Sequence, residues 1–297
     1  MDSLDSRHSK AQSKRAAQHE SERPRRESGG HADRWLPLPR TRSELAAGLL
    51  SGCVAGPDCS HDRPNVLWKI KRLVDGEPAL QFGLEGLTGA FSRDEVLSFV
   101  AEEGGFDADP SVTTGPVNID PWKMLDALEE AGDRLALAAA RGERVLLATG
   151  HPNGPILLYM AVGELLEAHG AKLLRPLEGM AWLEAGHHRR IRYLHGVGVL
   201  TWGGSSMHTH SPEPMQRMLQ EVRPDLVFAD HGFAGAAIQA GVDTISIVDV
   251  NDPAPVVAKR QGRTRTVIVM DDNVEPEDYW PCFQAIAGRF PHRGANP

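Results

Sequence analysis

Long apolar runs, cysteines and positive charge are all scarce in this chain, and each shortage removes a class of protein. No apolar run approaches the ~20 residues needed to span a bilayer, and the first residues are polar and charged where a secretory signal would carry an apolar stretch. The expected location is the cytoplasm, with no membrane partner. Cysteine occurs three times, at Cys53, Cys59 and Cys282, without C-x-x-C spacing. That supports neither a disulfide framework nor a zinc finger and leaves ordinary thiols. The 32 Lys and Arg are outnumbered by 40 Asp and Glu, for a formal charge of −8. Such an acidic body repels a phosphate backbone, so no nucleic-acid partner is expected. An anionic substrate would need a local cation from arginine, a helix N-terminus or a bound metal.

The charge is uneven. Residues 1–34 hold eight Lys and Arg against six Asp and Glu, and show no apolar periodicity. A segment that buries so little surface cannot offset the entropy of ordering, so a disordered tail is expected over 1–34. A small N-terminal α+β section is expected over 35–115. There Thr41 or Ser43 caps a helix through Leu45 and Leu49, residues 65–74 have helical spacing, residues 80–84 alternate as a strand, and Ser92 with Glu95 forms a capping box. A loop rich in Pro, Thr and Gly over 107–121 separates it from the main domain, 116–297.

That domain is organised around residues 223–252. Two apolar runs, 226–228 and 244–248, each end in acid, at Asp230 and Asp249, with a small-residue helical segment between them. Short apolar runs joined by a helix read as parallel strands buried on both faces. The same alternation surrounds them. A helix capped by Asp120 spans 121–141, strands are expected at 145–148, 172–174, 197–202 and 267–270, and helices at 156–169, 212–222 and 279–290. The pattern predicts an α/β fold, Rossmann-like and doubly wound, with a mainly parallel sheet and helices on both faces. The carboxyl ends of its strands would open onto the ligand crevice.

Asp230, His231, Asp249 and Asp252 fall at those ends, and Asp271 and Asp272 follow the last strand. Any one acid there can serve as a turn or cap residue. Several together repel one another unless protonated or bridged by a cation, so Asp230, Asp249 and Asp252 are the expected ligands of Mg²⁺ or Mn²⁺. In the TGHPNGP turn, Thr149, Gly150, Asn153 and Gly154 are candidates to cradle a phosphate through backbone N–H groups, the alternative being a structural tight turn. His151, His208, Asp230 and His231 are the catalytic candidates; His208 is paired with His210 two residues on, and at least one of the two is expected in the site. The run from His187 to Arg192 reads as a solvated basic turn or as a source of one arginine for the anion. No D-x-D at a suitable strand end, no C-x5-R loop and no G-x-S-x-G offers a covalent nucleophile, so attack by metal-activated water is the simpler chemistry.

TGHPNG, HTHSP, PDLVFADHGFAGAAIQAGVD and VNDPA resemble motifs of a bacterial phosphatase family, over about residues 41–290. ADHG before a small-residue helix is also distantly similar to the Asp-Asn-Ala-Gly signature of metal-dependent damage-control phosphatases, with His231 where that signature has asparagine. The resemblance implies phosphate chemistry and assigns no residue roles. The expected function is hydrolysis of a phosphomonoester of a small phosphorylated metabolite with a divalent metal. An isomerase or lyase acting on a small sugar phosphate or acid would use the same crevice but release no inorganic phosphate. A non-catalytic anion-binding module is a third reading; histidines and acids at strand ends argue against it, because binding pockets are mostly apolar. Whether the chain forms a homo-oligomer stays open.

Overall fold

Parallel strands ending in acid form the middle of the computed structural model, which describes residues 40–184 and 186–291. The tail expected over 1–34 lies outside the described residues. Helix α1 (Arg42–Ser51) opens on a Thr41–Glu44 capping box, α2 (Arg63–Val74) is capped by Asp62, and α3 (Arg93–Gly104) by the Ser92–Glu95 box. The long α4 (Pro121–Arg141) starts from Asp120. In each case a side-chain oxygen takes one of the N–H groups that a helix start leaves unpaired. The alternation at 80–84 makes no strand: Pro78–Leu80 is a 3-10 helix followed by turns, which still bury Leu80, Phe82 and Leu84. Among the described residues, extended pairing in this section consists of two isolated bridges to the segment that follows it, Gly56 with Ile119 and Asp62 with Pro116.

The chain then runs β1 (Arg144–Thr149), α5 (Ile156–Ala168), β2 (Lys172–Leu173), β3 (Ala181–Glu184), β4 (His187–Leu194), β5 (Val197–Trp202), β6 (Ser205–Ser206), α6 (Glu213–Glu221), β7 (Leu226–Asp230), α7 (His231–Gln239), β8 (Thr244–Asp249), α8 (Ala254–Arg260), β9 (Thr266–Met270) and α9 (Trp280–Ala287). The sheet order is β3-β4-β5-β1-β7-β8-β9, with β2 also on β1 and β6 also on β5. Strands β5, β1, β7, β8 and β9 are parallel, while β3 and β4 extend one side in antiparallel fashion. The expected basic turn is therefore strand: Arg189, Arg190 and Arg192 lie in β4, where Ile191 alone is fully buried.

On β1, Val145 and Leu147 join one apolar cluster and Leu146 and Ala148 another, which is the burial of a sheet covered on both faces. The first cluster draws side chains from α1 to α5, α8 and α9, so the N-terminal helices share a core with the sheet; the second packs β1, β5 and β7 against α6 and α7. All three cysteines are free. Among the described residues no helix is long and apolar enough to cross a membrane. Because the central strands are parallel, the ends at Thr149, Asp230, Asp249 and Met270 share one sheet edge.

Candidate active site

Asp230, wholly buried at the end of β7, is the acceptor for three donors. Thr149 Oγ1 on the neighbouring strand donates to Oδ2 at 2.5 Å, Gly150 N–H to Oδ1 at 2.5 Å, and His231 Nδ1 to Oδ1 at 3.1 Å. A carboxylate can only accept, so that contact places a proton on Nδ1 of His231 and leaves Nε2 as its other functional atom. Asp230 stands at the N-cap position of α7 but makes no capping hydrogen bond; its oxygens are turned to β1 instead. His231 itself has φ 44°, a left-handed conformation uncommon outside glycine. That strained backbone lets the first residue of α7 aim its ring back at the sheet edge.

The stretch carrying His208 and His210 is laid over this edge. It can approach because two neighbours lack a side chain: a Cβ on Gly150 would sit 2.4 Å from the Thr209 carbonyl oxygen, and one on Gly232 would sit 2.3 Å from that of His210. The result is a trio of imidazoles. His208 Nε2 and His210 Nε2 are 3.1 Å apart, the His210 ring stacks on His231 at 4.6 Å between centroids, and one ring nitrogen from each of His208, His210 and His231 falls within 4.8 Å of the others. His208 is exposed, His210 half-buried and His231 buried, so the trio leads from solvent into the protein. His151 stacks on His208 at 4.5 Å.

Buried acids lie behind the rings. Asp252 is 3.4 Å from Lys69 Nζ and 3.4 Å from His231 Nε2; Asp272 is 3.3 Å from His151 Nδ1 and 3.5 Å from His231 Nε2; Asp249 is 3.1 Å from His61 Nε2. Asp271 has a different task. Its oxygens accept from Ser60 N–H and Oγ, each at 2.5 Å, and from Asn273 N–H, which pins the 58–62 segment beside β9 and so holds His61 on Asp249.

This crowding sets the charges. Desolvation against the neighbouring rings, with the fields of His231 and His151, pushes His208 down to about 4 although one side of its ring is open, and burial with the field of His231 pushes His210 to about 3, so both rings are neutral at neutral pH with lone pairs available. Burial also opposes charge on His231, but the Asp230 hydrogen bond and the fields of Asp272, Asp230 and Asp252 outweigh it and raise it to about 10. Burial lifts Asp249 to about 8, reinforced by Asp272. Asp272 is held low despite burial by its contact with His151 and by the charge of His231.

Of the residues picked out in sequence, the structure brings His151, His208, Asp230, His231, Asp249 and Asp252 to one edge. It distributes them differently from expectation. Asp230, Asp249 and Asp252 face different partners, and among the described residues the group with metal-binding spacing is the histidine trio. The phosphate cradle is also altered: Gly150 N–H goes to Asp230 and His151 N–H to Thr149 Oγ1 at 2.9 Å, while Gly154 is buried in the turn and Asn153 is exposed beside it. Those two N–H groups are spent on the scaffold. His61 and Lys69 went unnoticed in sequence. A histidine just before the capping Asp62 was the one local signal, and it is a weak one.

Comparison with known proteins bears on the family of the chain. A family model described as Phosphatase matches residues 40–290. A Streptomyces coelicolor protein named Phosphatase SCO2771 is 37% identical over 253 residues, covering 82% of this chain and 95% of the relative. All the strands, and every side chain assigned above to the sheet edge, fall inside the matched span, and the chain belongs to the Phosphatase family.

Proposed function

We propose that this chain hydrolyses phosphomonoesters of a small metabolite, using a divalent cation held by His208, His210 and His231. The observation that carries the reading is the trio itself: three imidazole nitrogens within 4.8 Å of one another at the carboxyl ends of the strands. The donor set fits a cation. Two rings are neutral, and the third, His231, has Nδ1–H bound to a carboxylate, the arrangement that fixes a metal-binding histidine's tautomer and direction; its raised protonation means that binding the ion must displace the proton on Nε2. Imidazole donors favour a first-row ion such as Zn²⁺ or Mn²⁺ over Mg²⁺. When bound, such an ion supplies Lewis-acid polarisation of the phosphoryl group.

The remaining roles fall to the protein. Asp230 orients His231 and does not itself touch the ion, since its two oxygens already accept three hydrogen bonds. Lys69 brings positive charge to the acidic wall beside Asp252 and helps an anionic substrate approach. His208 forms the open rim, so the substrate enters over that ring. His61, its side chain 29% exposed and directed by Asp249, can hand a proton to the leaving oxygen.

Release of inorganic phosphate from sugar phosphates, nucleoside monophosphates and p-nitrophenyl phosphate tests the proposal and separates it from an isomerase, a lyase or a silent binder. Wild type is expected to release phosphate. His210→Ala is expected to lose its bound ion and at least ~100-fold in rate, because removing a ligand removes several kcal/mol of transition-state stabilisation. No release from any ester, or a His210→Ala variant with full activity, would overturn the proposal.

A further inference from the structure

A phenylalanine from the N-terminal section reaches the histidine trio. Phe82, in the turns after Pro78–Leu80, is 1% exposed, and its ring centroid lies 5.1 Å from that of His210, with the planes at 79°, and 5.7 Å from that of His231. The His210 ring therefore packs against two others: it meets Phe82 in a T and stacks on His231 at 4.6 Å. Such contacts are directional, because the positive edge of one ring seeks the negative face of another. Holding Phe82 there strains the backbone. Its φ is 52°, an outlier for a bulky residue, and a conformation of that kind persists only where its surroundings over-determine it. A Cβ on Gly235 of α7 would sit 2.1 Å from the Phe82 carbonyl oxygen, and one on Gly83 would sit 2.5 Å from Pro212, just beyond the histidine stretch. Further along, Glu85 N–H donates to Gln239 Oε1 at 2.9 Å, and Arg263 Nη1 donates to the Glu85 carbonyl at 2.8 Å. The turn is thus clamped on both sides of the strained residue.

The two imidazoles that Phe82 touches are oriented in different ways. His231 has the Asp230 carboxylate behind Nδ1, whereas the hydrogen bond of His210 goes to another member of the trio, His208. A metal-binding imidazole is ordinarily directed by a partner outside the ligand set, and the apolar shell around a site also controls solvent access. We propose that Phe82 is a positioning residue of the metal site, holding the His210 ring against His231 at the angle at which its nitrogen faces the ion. Packing by Phe82 thereby does for His210 what a hydrogen bond from Asp230 does for His231. The inference rests on the trio binding a cation, and it gives the N-terminal section a part in building that site.

The test is Co²⁺ binding by the full chain, stripped of metal with a chelator and titrated while the visible absorption of the ion is followed. Phe82→Gly is the primary variant, because glycine adopts a positive φ without strain and the change removes only the ring. It is expected to bind Co²⁺ ~10–100-fold more weakly than wild type and with a changed spectrum, the usual effect of losing a group that orients a metal-binding histidine. Phe82→Leu, which keeps most of the apolar volume, should fall between the two and supplies the reading if Phe82→Gly does not fold by circular dichroism. Leu84→Ala is the control. Leu84 is also 1% exposed in the same turn, so its truncation should lower the melting temperature and leave affinity and spectrum unchanged. Wild-type affinity and spectrum in a folded Phe82 variant, or an equal loss in Leu84→Ala, would overturn the inference and leave the proposed function standing. A wild-type chain that binds no Co²⁺ would overturn both.

Discussion

His231→Asn is expected to cost ~10³-fold or more in phosphate release while leaving the chain folded. The size follows from removing a cation ligand: several kcal/mol of charge stabilisation in the transition state, at about 1.4 kcal/mol per tenfold in rate. Asparagine is the informative substitute because residue 231 sits at φ 44°. Asn tolerates that region better than most residues, so the backbone bend survives while Nε2 does not. The side chain is buried and in contact with Asp230, so a stability loss of about 1–3 kcal/mol should accompany the change. Turnover, bound metal and the urea midpoint measured on one preparation separate the two effects. A variant that loses stability but keeps its rate would make His231 a core histidine.

The second large effect is at Asp230, and it should look different. Asp230→Asn preserves the shape, but an amide oxygen cannot serve both Thr149 and the Gly150 and His231 donors, and its NH₂ is forced against one of them. Leaving such a buried group mismatched costs about 2–4 kcal/mol. With its orienting carboxylate gone, His231 should bind the ion 10–100-fold more weakly, by the usual effect of losing a hydrogen-bond partner behind a metal-binding histidine. Raising the metal concentration should restore part of the activity of Asp230→Asn and none of that of His231→Asn. Unchanged stability with lost activity that excess metal does not rescue would instead mark Asp230 as a direct ligand.

Where the chain carries local punctuation, the fold can be read from it. Asp120 before Pro121, the Ser92–Glu95 pair and the apolar runs of β7 and β8 each encode their element within a few residues. Strands β3 and β4 lack that encoding: they lie to one side of the parallel core, with His187, His188, Arg190 and Arg192 exposed, so no apolar run betrays them. The edge at which the candidate residues meet follows from parallel topology and was legible. The partner of each residue was not, because the deciding contacts join distant positions: Thr149 with Asp230, Lys69 with Asp252, His61 with Asp249. Counting acids at strand ends pointed to a carboxylate metal site. It missed that Asp230 is consumed by β1, and that Gly150 and Gly232 let the 208–211 stretch close onto His231.

Metal dependence is the centre of this reading, and removing the metal probes it most directly. The purified chain, stripped with a chelator until its metal content is negligible, is assayed for phosphate release from an ester that the untreated protein hydrolyses, before and after addition of Mn²⁺ or Zn²⁺. The expected result is no release from the stripped protein and recovery on adding the ion, with His210→Ala failing to recover. Undiminished hydrolysis by the stripped protein would contradict it.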